Sequence, residues 1–248
     1  MIEINKIYNE DCLEGLKLLE NNSVDLAIYD PPYGNIVKAD WDKNENPFTL
    51  ELINETFRVL KSTGNFYIWC GIGEKSQSLI NFFNIMKQSG FYFKDLITWK
   101  KQRGIGMRKG WLYTREECLW YVKDNKQFIW NKENQYSEEK RLTSNKHTKY
   151  LPKSEYKRIT NVWDDISEAT TGRQEKQKHL TPKPVEAIER IINLHTQPND
   201  VVLDCFMGSG STAVACINTN RQYIGFELDE TYYNLAQERI NNTHIKLN

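Results

Sequence analysis

Hydrophobic and polar positions fall into two alternating rhythms along this chain. Short, nearly unbroken apolar runs at Val24–Tyr29, Asn65–Cys70, Val201–Asp204 and Tyr223–Glu227 read as strands covered on both faces. Between them, apolar residues recur at helical spacing. One such stretch runs from Cys12 to Leu19. A second, opened by Pro47 with Asn46 as its cap, places Leu50, Ile53, Phe57 and Leu60 on one face. A third over Lys75–Gln88 buries Leu79, Phe82, Phe83 and Met86, and a fourth behind Pro182-Lys183-Pro184 carries Val185, Ile188, Ile191 and Ile192. A terminal helix is expected from Tyr232 to Ile240, a short strand from Ile4 to Tyr8, and two edge strands at Phe91–Trp99 and Glu117–Lys123. Strands alternating with helices predict an α/β fold: a doubly wound, mostly parallel sheet.

The rhythm fails from about Asp124 to Lys178, where polar and charged residues surround isolated aromatics such as Phe128, Trp130, Tyr136, Tyr156 and Trp163. A stretch of that length without elements is an irregular insert with a function of its own, or is partly disordered. The chain therefore divides into 1–123, an insert over 124–178, and 179–248.

Composition narrows the class. The 248 residues are 39% hydrophobic and 27% charged, which describes a soluble globular chain. No apolar run approaches the roughly 18 residues that span a membrane. Met1–Lys6 lacks a signal-peptide pattern, so a cytoplasmic location is expected. Cys12, Cys70, Cys118, Cys205 and Cys216 have no C-x-x-C spacing, which argues against a disulfide framework and a structural metal site. Net charge is zero but uneven: residues 100 to 178 hold 19 Lys and Arg against 11 Asp and Glu, leaving 14 against 22 elsewhere. A basic segment on an acidic body points to a polyanion bound at one place.

Two constellations carry chemistry. The first is Asp30-Pro31-Pro32-Tyr33, directly after the Val24–Tyr29 strand. Two prolines cannot continue a ladder, so the strand ends in a stiff ledge where open α/β sheets place ligands. Its carboxylate, freed carbonyls and aromatic ring suit a flat ring bearing an amine. The second is Asp204-Cys205-Phe206-Met207-Gly208-Ser209-Gly210-Ser211-Thr212, a tight turn from strand to helix whose N-terminus offers N–H groups to an anion. Gly208-x-Gly210-x-x-Ala213, with Glu227 nineteen residues after Gly208, also fits a loose dinucleotide fingerprint in which the acid binds ribose hydroxyls.

In this order the two constellations resemble the amino-methyltransferases of DNA, in particular their circularly permuted β class. That family places a D-P-P-Y motif first, a target-recognition region mid-chain and an F-x-G-x-G cofactor motif near the C-terminus, here Asp30–Tyr33, the region 101 to 178 and Phe206–Gly210. Lys178–Pro184 is similar to the motif preceding the cofactor strand, with Leu180 departing from it, and Asn9-Glu10-Asp11-Cys12 to the adenosine-contacting turn. Weaker matches are Arg58–Lys61 with Gly64, and Ile97–Lys100.

The resemblance implies a Rossmann-like, permuted methyltransferase fold, S-adenosylmethionine as cofactor and double-stranded DNA as partner. It implies that 1–123 and 179–248 are halves of one domain and that the insert's recognition surface begins near 101. It implies N6 of adenine as acceptor, because aspartate at the first motif position goes more often with adenine. Cytosine-N4 methylation is the alternative. Asp30 and the Pro31 carbonyl would accept the amine N–H groups and Tyr33 would stack on a base flipped out of the duplex. For the cofactor, Glu227 is expected on the ribose, Asp11 and the Cys12 amide at the adenine, and Thr181, Lys183, Ser211 and Thr212 at the methionine carboxylate. Phe206 lines the same pocket, together with Asp204, Gly208 and Gly210. Asp11 reads equally well as a helix cap, Lys183 also as a solvated lysine, and His179 as a positioning residue. Arg103, Arg108, Lys109, Trp111 and Arg115 are the expected DNA contacts. A homodimer is a candidate assembly. An NAD-dependent oxidoreductase accounts for the glycine turn but leaves Asp30–Tyr33 and the basic insert unexplained, and a DNA-binding module without activity leaves the motif set unused.

Overall fold

The apolar runs form the strands at the centre of the molecule, and the helical stretches cover them on two sides. The computed structural model describes residues 2–33, 47–73, 76–105, 109, 111–140, 154–168 and 182–247. The strands are β1 (Lys6–Tyr8), β2 (Val24–Tyr29), β3 (Leu60–Cys70), β4 (Tyr92–Ile105), β5 (Tyr113–Val122), β6 (Tyr136–Lys140), β7 (Tyr156–Arg158), β8 (Val162–Trp163), β9 (Val201–Asp204) and β10 (Gln222–Phe226). The helices are α1 (Cys12–Lys17), α2 (Leu50–Val59), α3 (Ser78–Met86), α4 (Val185–His195), α5 (Ser211–Asn218) and α6 (Glu230–Leu247).

Among the described residues, eight strands make one sheet in the order β1-β10-β9-β2-β3-β5-β4-β8. Pairing is parallel from β1 through β3 and between β4 and β8, and antiparallel where β5 meets β3 and β4. The doubly wound, mostly parallel α/β sheet is therefore present. Leu16, Leu52, Ile53, Phe82 and Met86 of α1–α3 pack on one face. Ile188, Ile191, Ala213, Cys216, Ala236 and Ile240 of α4–α6 pack on the other.

Several boundaries move. Thr49, not Asn46, caps α2: its side chain accepts from the Leu52 amide. Leu60 does not extend that helix. It turns extended and opens β3, where a register shift opposite Val24 and Leu26 absorbs the transition. α3 starts at Ser78 rather than Lys75.

The segment expected to lack elements contains β6 paired antiparallel with β7, and β8 on the sheet edge. β6 and β7 escape the hydrophobic pattern because they are short and largely polar, Tyr-Ser-Glu-Glu-Lys and Tyr-Lys-Arg, and are not packed on the core. The segment is also tied to the main domain. The Asn131 amide side chain donates to the Asn193 and Thr196 carbonyls, the Trp99 indole donates to the Ile166 carbonyl, and Trp163 and Ile166 are buried in the core.

Candidate active site

Parallel strands put the loops after β1, β10, β9, β2 and β3 along one edge of the sheet. These loops carry Asp11, Glu227, the glycine turn, Asp30 and Gly71 respectively. The two constellations, 174 positions apart at Asp30 and Asp204, thus meet because β2 and β9 are direct neighbours.

Asp30 is the centre of a buried polar cluster. The Tyr33 hydroxyl donates to Asp30 Oδ1 at 2.9 Å, and Lys183 Nζ donates to Oδ2 at 2.5 Å. Burial pushes the Tyr33 hydroxyl well above its ordinary pKa, with the Asp30 and Glu116 charges adding to it, so it remains a donor. Lys183 is only 7% exposed and lies between Asp30 and Glu116, whose Oε2 is 3.3 Å away. Burial alone would lower the ammonium pKa, but the two carboxylates overcome it and hold the charge. Beneath it, the rings of Tyr33 and Trp69 each lie 5.4 Å from Nζ. Lys101 pairs with the other Glu116 oxygen. Lys183, expected at the methionine carboxylate, reaches the ledge at Asp30.

At the glycine turn, Gly208 and Gly210 take φ of 53° and 82°, a conformation costly for other residues. A Cβ on Gly210 would also press on Ala236 of α6 at 3.0 Å. Asp204 Oδ1 accepts from the Phe206 amide and Oδ2 from the Thr212 hydroxyl, clamping the turn to its helix. Glu227 accepts from the Gly208 and Asp229 amides, and Asn9 ties the β1 turn to the Glu227 and Leu228 carbonyls. Asp11 accepts from the Leu13 amide as the cap of α1. Phe206 stands edge-on to Tyr29, with ring centroids 5.7 Å apart. Thr181, His179 and Arg108 lie outside the described residues.

The chemistry of this edge fits a ligand carrying positive charge. Burial pushes Asp204 up to about 7 against its two hydrogen bonds, with the Asp30 and Glu227 charges adding to the rise, and burial also raises Glu227. Three carboxylates gathered in this way gain from a positive group set between them. Glu10 Oε1, beside the Asp11 turn, is a buried acceptor that takes no hydrogen bond from any described residue. Cys70, Cys118, Cys205 and Cys216 are poor nucleophiles: all four are buried, and burial pushes each well above the ordinary thiol range.

Residues 24–238 match the DNA methylase family model N6_N4_Mtase. The chain belongs to the DNA methylase family. Type II methyltransferase M1.MboII of Moraxella bovis is 33% identical over 99% of this chain and 100% of its own. DNA adenine methyltransferase YhdJ of Escherichia coli (strain K12) is 29% identical over 96% of this chain and 83% of its own. The crystal structure of the M1.HpyAVI–SAM complex superposes with a TM-score of 0.68 at 30% identity, covering 95% of this chain and 98% of that one.

In this DNA methylase, β4 and β5 carry the basic segment past the edge that holds Asp30. Cys70 at the end of β3 pairs with Glu117, and β5 begins beyond it at Tyr113, opposite Ile105. A Cβ on Gly73 would meet the Tyr113 ring at 2.9 Å, so the strand tip sits over the loop after β3. There Trp111 is 91% exposed and Lys109 is exposed. Arg103 lies in β4. Arg115 pairs with buried Glu117, whose other oxygen accepts from Thr98.

Sequence reasoning missed Glu116, Lys101 and Arg239. Arg239 of α6 donates to the Ser209 carbonyl and hydroxyl and to the Ser211 hydroxyl, holding the glycine turn from outside. The available signal for Glu116 was the Glu116-Glu117 doublet directly before the apolar run Cys118–Val122 of the same strand, since carboxylates drawn into a sheet with that run each require a partner.

Proposed function

We propose that this DNA methylase transfers a methyl group from S-adenosylmethionine to N6 of adenine in a base flipped out of double-stranded DNA. The single observation that carries the reading is the adjacency of the Asp30–Tyr33 ledge and the Gly208–Gly210 turn on neighbouring strands β2 and β9. Bound S-adenosylmethionine supplies an activated methyl on a sulfonium. Glu227 takes the ribose, the Asp11–Cys12 turn takes the adenine, and Phe206, Asp204, Gly208 and Gly210 shape the pocket. Ser211, Thr212 and Thr181 serve the methionine carboxylate.

The amine lone pair of adenine is delocalised into the ring. Accepting its N–H groups at the Asp30 carboxylate and the Pro31 carbonyl draws the nitrogen toward tetrahedral geometry and opposes the charge developing on it. Pro32 keeps the ledge rigid and Tyr33 faces the base. Positioning does the rest, because a sulfonium is already a good leaving group. Lys109 and Trp111 lie at the DNA-facing tip, and Arg103, Arg108 and Arg115 are proposed as further DNA contacts.

The ledge preceding the glycine turn in the chain supports the permuted class. The type II relatives support restriction–modification as the setting, the DNA substrate supports the cytoplasm as the site of action, and a homodimer is the proposed assembly, to be checked by light scattering. The decisive experiment incubates the protein with tritiated S-adenosylmethionine and mixed-sequence DNA and identifies the labelled nucleoside. N6-methyl-2′-deoxyadenosine is expected. Label in N4-methylcytosine would overturn the base assignment, and unlabelled DNA would overturn the reaction.

A further inference from the structure

The catalytic ledge is served by a carboxylate outside every motif. We propose that Glu116 is a positioning residue for methyl transfer: it holds Lys183 so that the ammonium orients Asp30 without cancelling its charge. The inference rests on the reading of Asp30 as the acceptor for the amine.

Topology sets up the arrangement. Asp30 follows β2, Glu116 lies on β5, and β3 runs between those strands. Lys183 reaches in from just before α4, lies over the Trp69 ring of β3 and touches a carboxylate on either side. The bridge is unequal. Nζ donates to Asp30 at 2.5 Å, whereas Glu116 Oε2 stands 3.3 Å off and takes no hydrogen bond from any described residue. Glu116 therefore acts on Lys183 chiefly through charge. It stays charged itself: burial would raise its pKa, but Lys183 and Lys101 hold it below the ordinary value.

Two consequences follow for the reaction. A carboxylate offers about four lone-pair positions, and Tyr33 and Lys183 take one on each oxygen, so the plane of Asp30 is fixed while positions remain for an amine. Charge is the second. Asp30, Lys183, Glu116 and Lys101 form a balanced series of two negative and two positive groups. In methyl transfer the nitrogen lone pair forms the new N–C bond as the S–C bond breaks and its electron pair stays on a neutral thioether, so positive charge moves from sulfur onto the nitrogen beside Asp30 until one N–H proton is released to water. Without the Glu116 charge the cluster is net positive where that charge arrives, and the full field of Lys183 falls on Asp30. The transition state is penalised while ground-state binding of cofactor and DNA is not, which is the signature of a kcat effect.

The test is Glu116→Gln, followed by single-turnover and steady-state methylation of mixed-sequence DNA. We expect kcat to fall by about tenfold to a hundredfold, with the KM for DNA and the affinity for S-adenosylmethionine within about threefold. Glu116→Asp, which keeps the charge, retains more activity. On a Lys183→Gln background the same change costs at most about twofold, because Glu116 acts through Lys183. A wild-type kcat in Glu116→Gln, equal losses in the Gln and Asp variants, or additivity with Lys183→Gln would overturn the inference. If Glu116→Gln does not fold, Glu116→Ala decides: a loss of kcat at unchanged cofactor affinity supports the inference, and an unchanged kcat overturns it. Asp30→Ala separates the two levels. Turnover persisting there removes the reading of Asp30 itself, whereas an inactive Asp30→Ala beside a fully active Glu116→Gln removes only the role of Glu116.

Discussion

Helix α4 joins two buried polar clusters of opposite character. Lys183 lies just before its N-terminus among Asp30, Glu116 and Lys101, and His195 ends it at the opposite edge of the sheet. His195 Nε2 meets the Tyr67 hydroxyl at 2.7 Å and Nδ1 meets the Ile129 carbonyl at 2.8 Å. Its ring is packed 5.2 Å from Trp120 and 5.4 Å from Trp130. Burial drives His195 down to about 4, so it is neutral near pH 7 with both ring nitrogens partnered. The Asp30 cluster is charged, and Asp30 is 28% exposed. One cluster is closed and neutral, which suits holding the fold. The other keeps charge and spare hydrogen-bonding capacity facing outward, which suits chemistry.

The sharpest way to break that contrast is to remove the central group of each cluster. Asp30→Ala is expected to lower turnover by about a thousandfold or more, with S-adenosylmethionine affinity kept, since its partner Lys183 retains Glu116. A stability loss in place of a rate loss would erase the distinction. His195→Ala is expected to do the reverse, costing about 3 kcal/mol in denaturant unfolding with kcat near normal.

Acid titration tests the same contrast through opposing slopes. His195 has a folded pKa of about 4 against an ordinary 6.5, so the unfolded chain binds its proton first and stability falls as pH drops between those values. Asp204 has a folded pKa of about 7 against an ordinary 3.8, so the native state binds its proton first and stability rises as pH drops through that window. The two slopes, each about 1.4 kcal/mol per pH unit, nearly cancel between about pH 4.5 and 6.5. Asp204→Asn should expose the His195 slope and His195→Ala the Asp204 slope. Urea titrations at several pH values that gave both variants the same sign would sink the assignment.

The smallest expected effect lies at the DNA-facing tip. Trp111→Ala should raise the KM for DNA by about tenfold, through the loss of one stacking or wedge contact, while kcat under saturating DNA and thermal stability stay as they are. An unchanged KM would remove Trp111 from the interface.

Much of this was legible in the chain. The strand runs at Val24–Tyr29 and Val201–Asp204 match β2 and β9 residue for residue, because a strand buried on both faces leaves a dense apolar mark. Asp30-Pro31-Pro32-Tyr33 and Gly208–Gly210 were legible for the same kind of local reason: proline forbids ladder pairing, and only glycine takes those φ values without strain. β6, β7 and β8 were not legible, being two to five residues long and, in β6 and β7, largely polar. Asp11 shows the middle case, a residue with two readings. The structure displays its capping bond from the Leu13 amide.

The sequence by itself determined which residues could build a strand, stop it, turn on glycine or carry charge, since each depends on a few neighbours along the backbone. Which of them meet was decided by tertiary structure alone. Strand order set β2 beside β9 and left β3 between Asp30 and Glu116, and that order depends on packing across the whole sheet. A lysine such as Lys183 has no local signal for its partner. It went to Asp30 and Glu116 because a buried ammonium must find carboxylates, and the fold had placed two of them within reach.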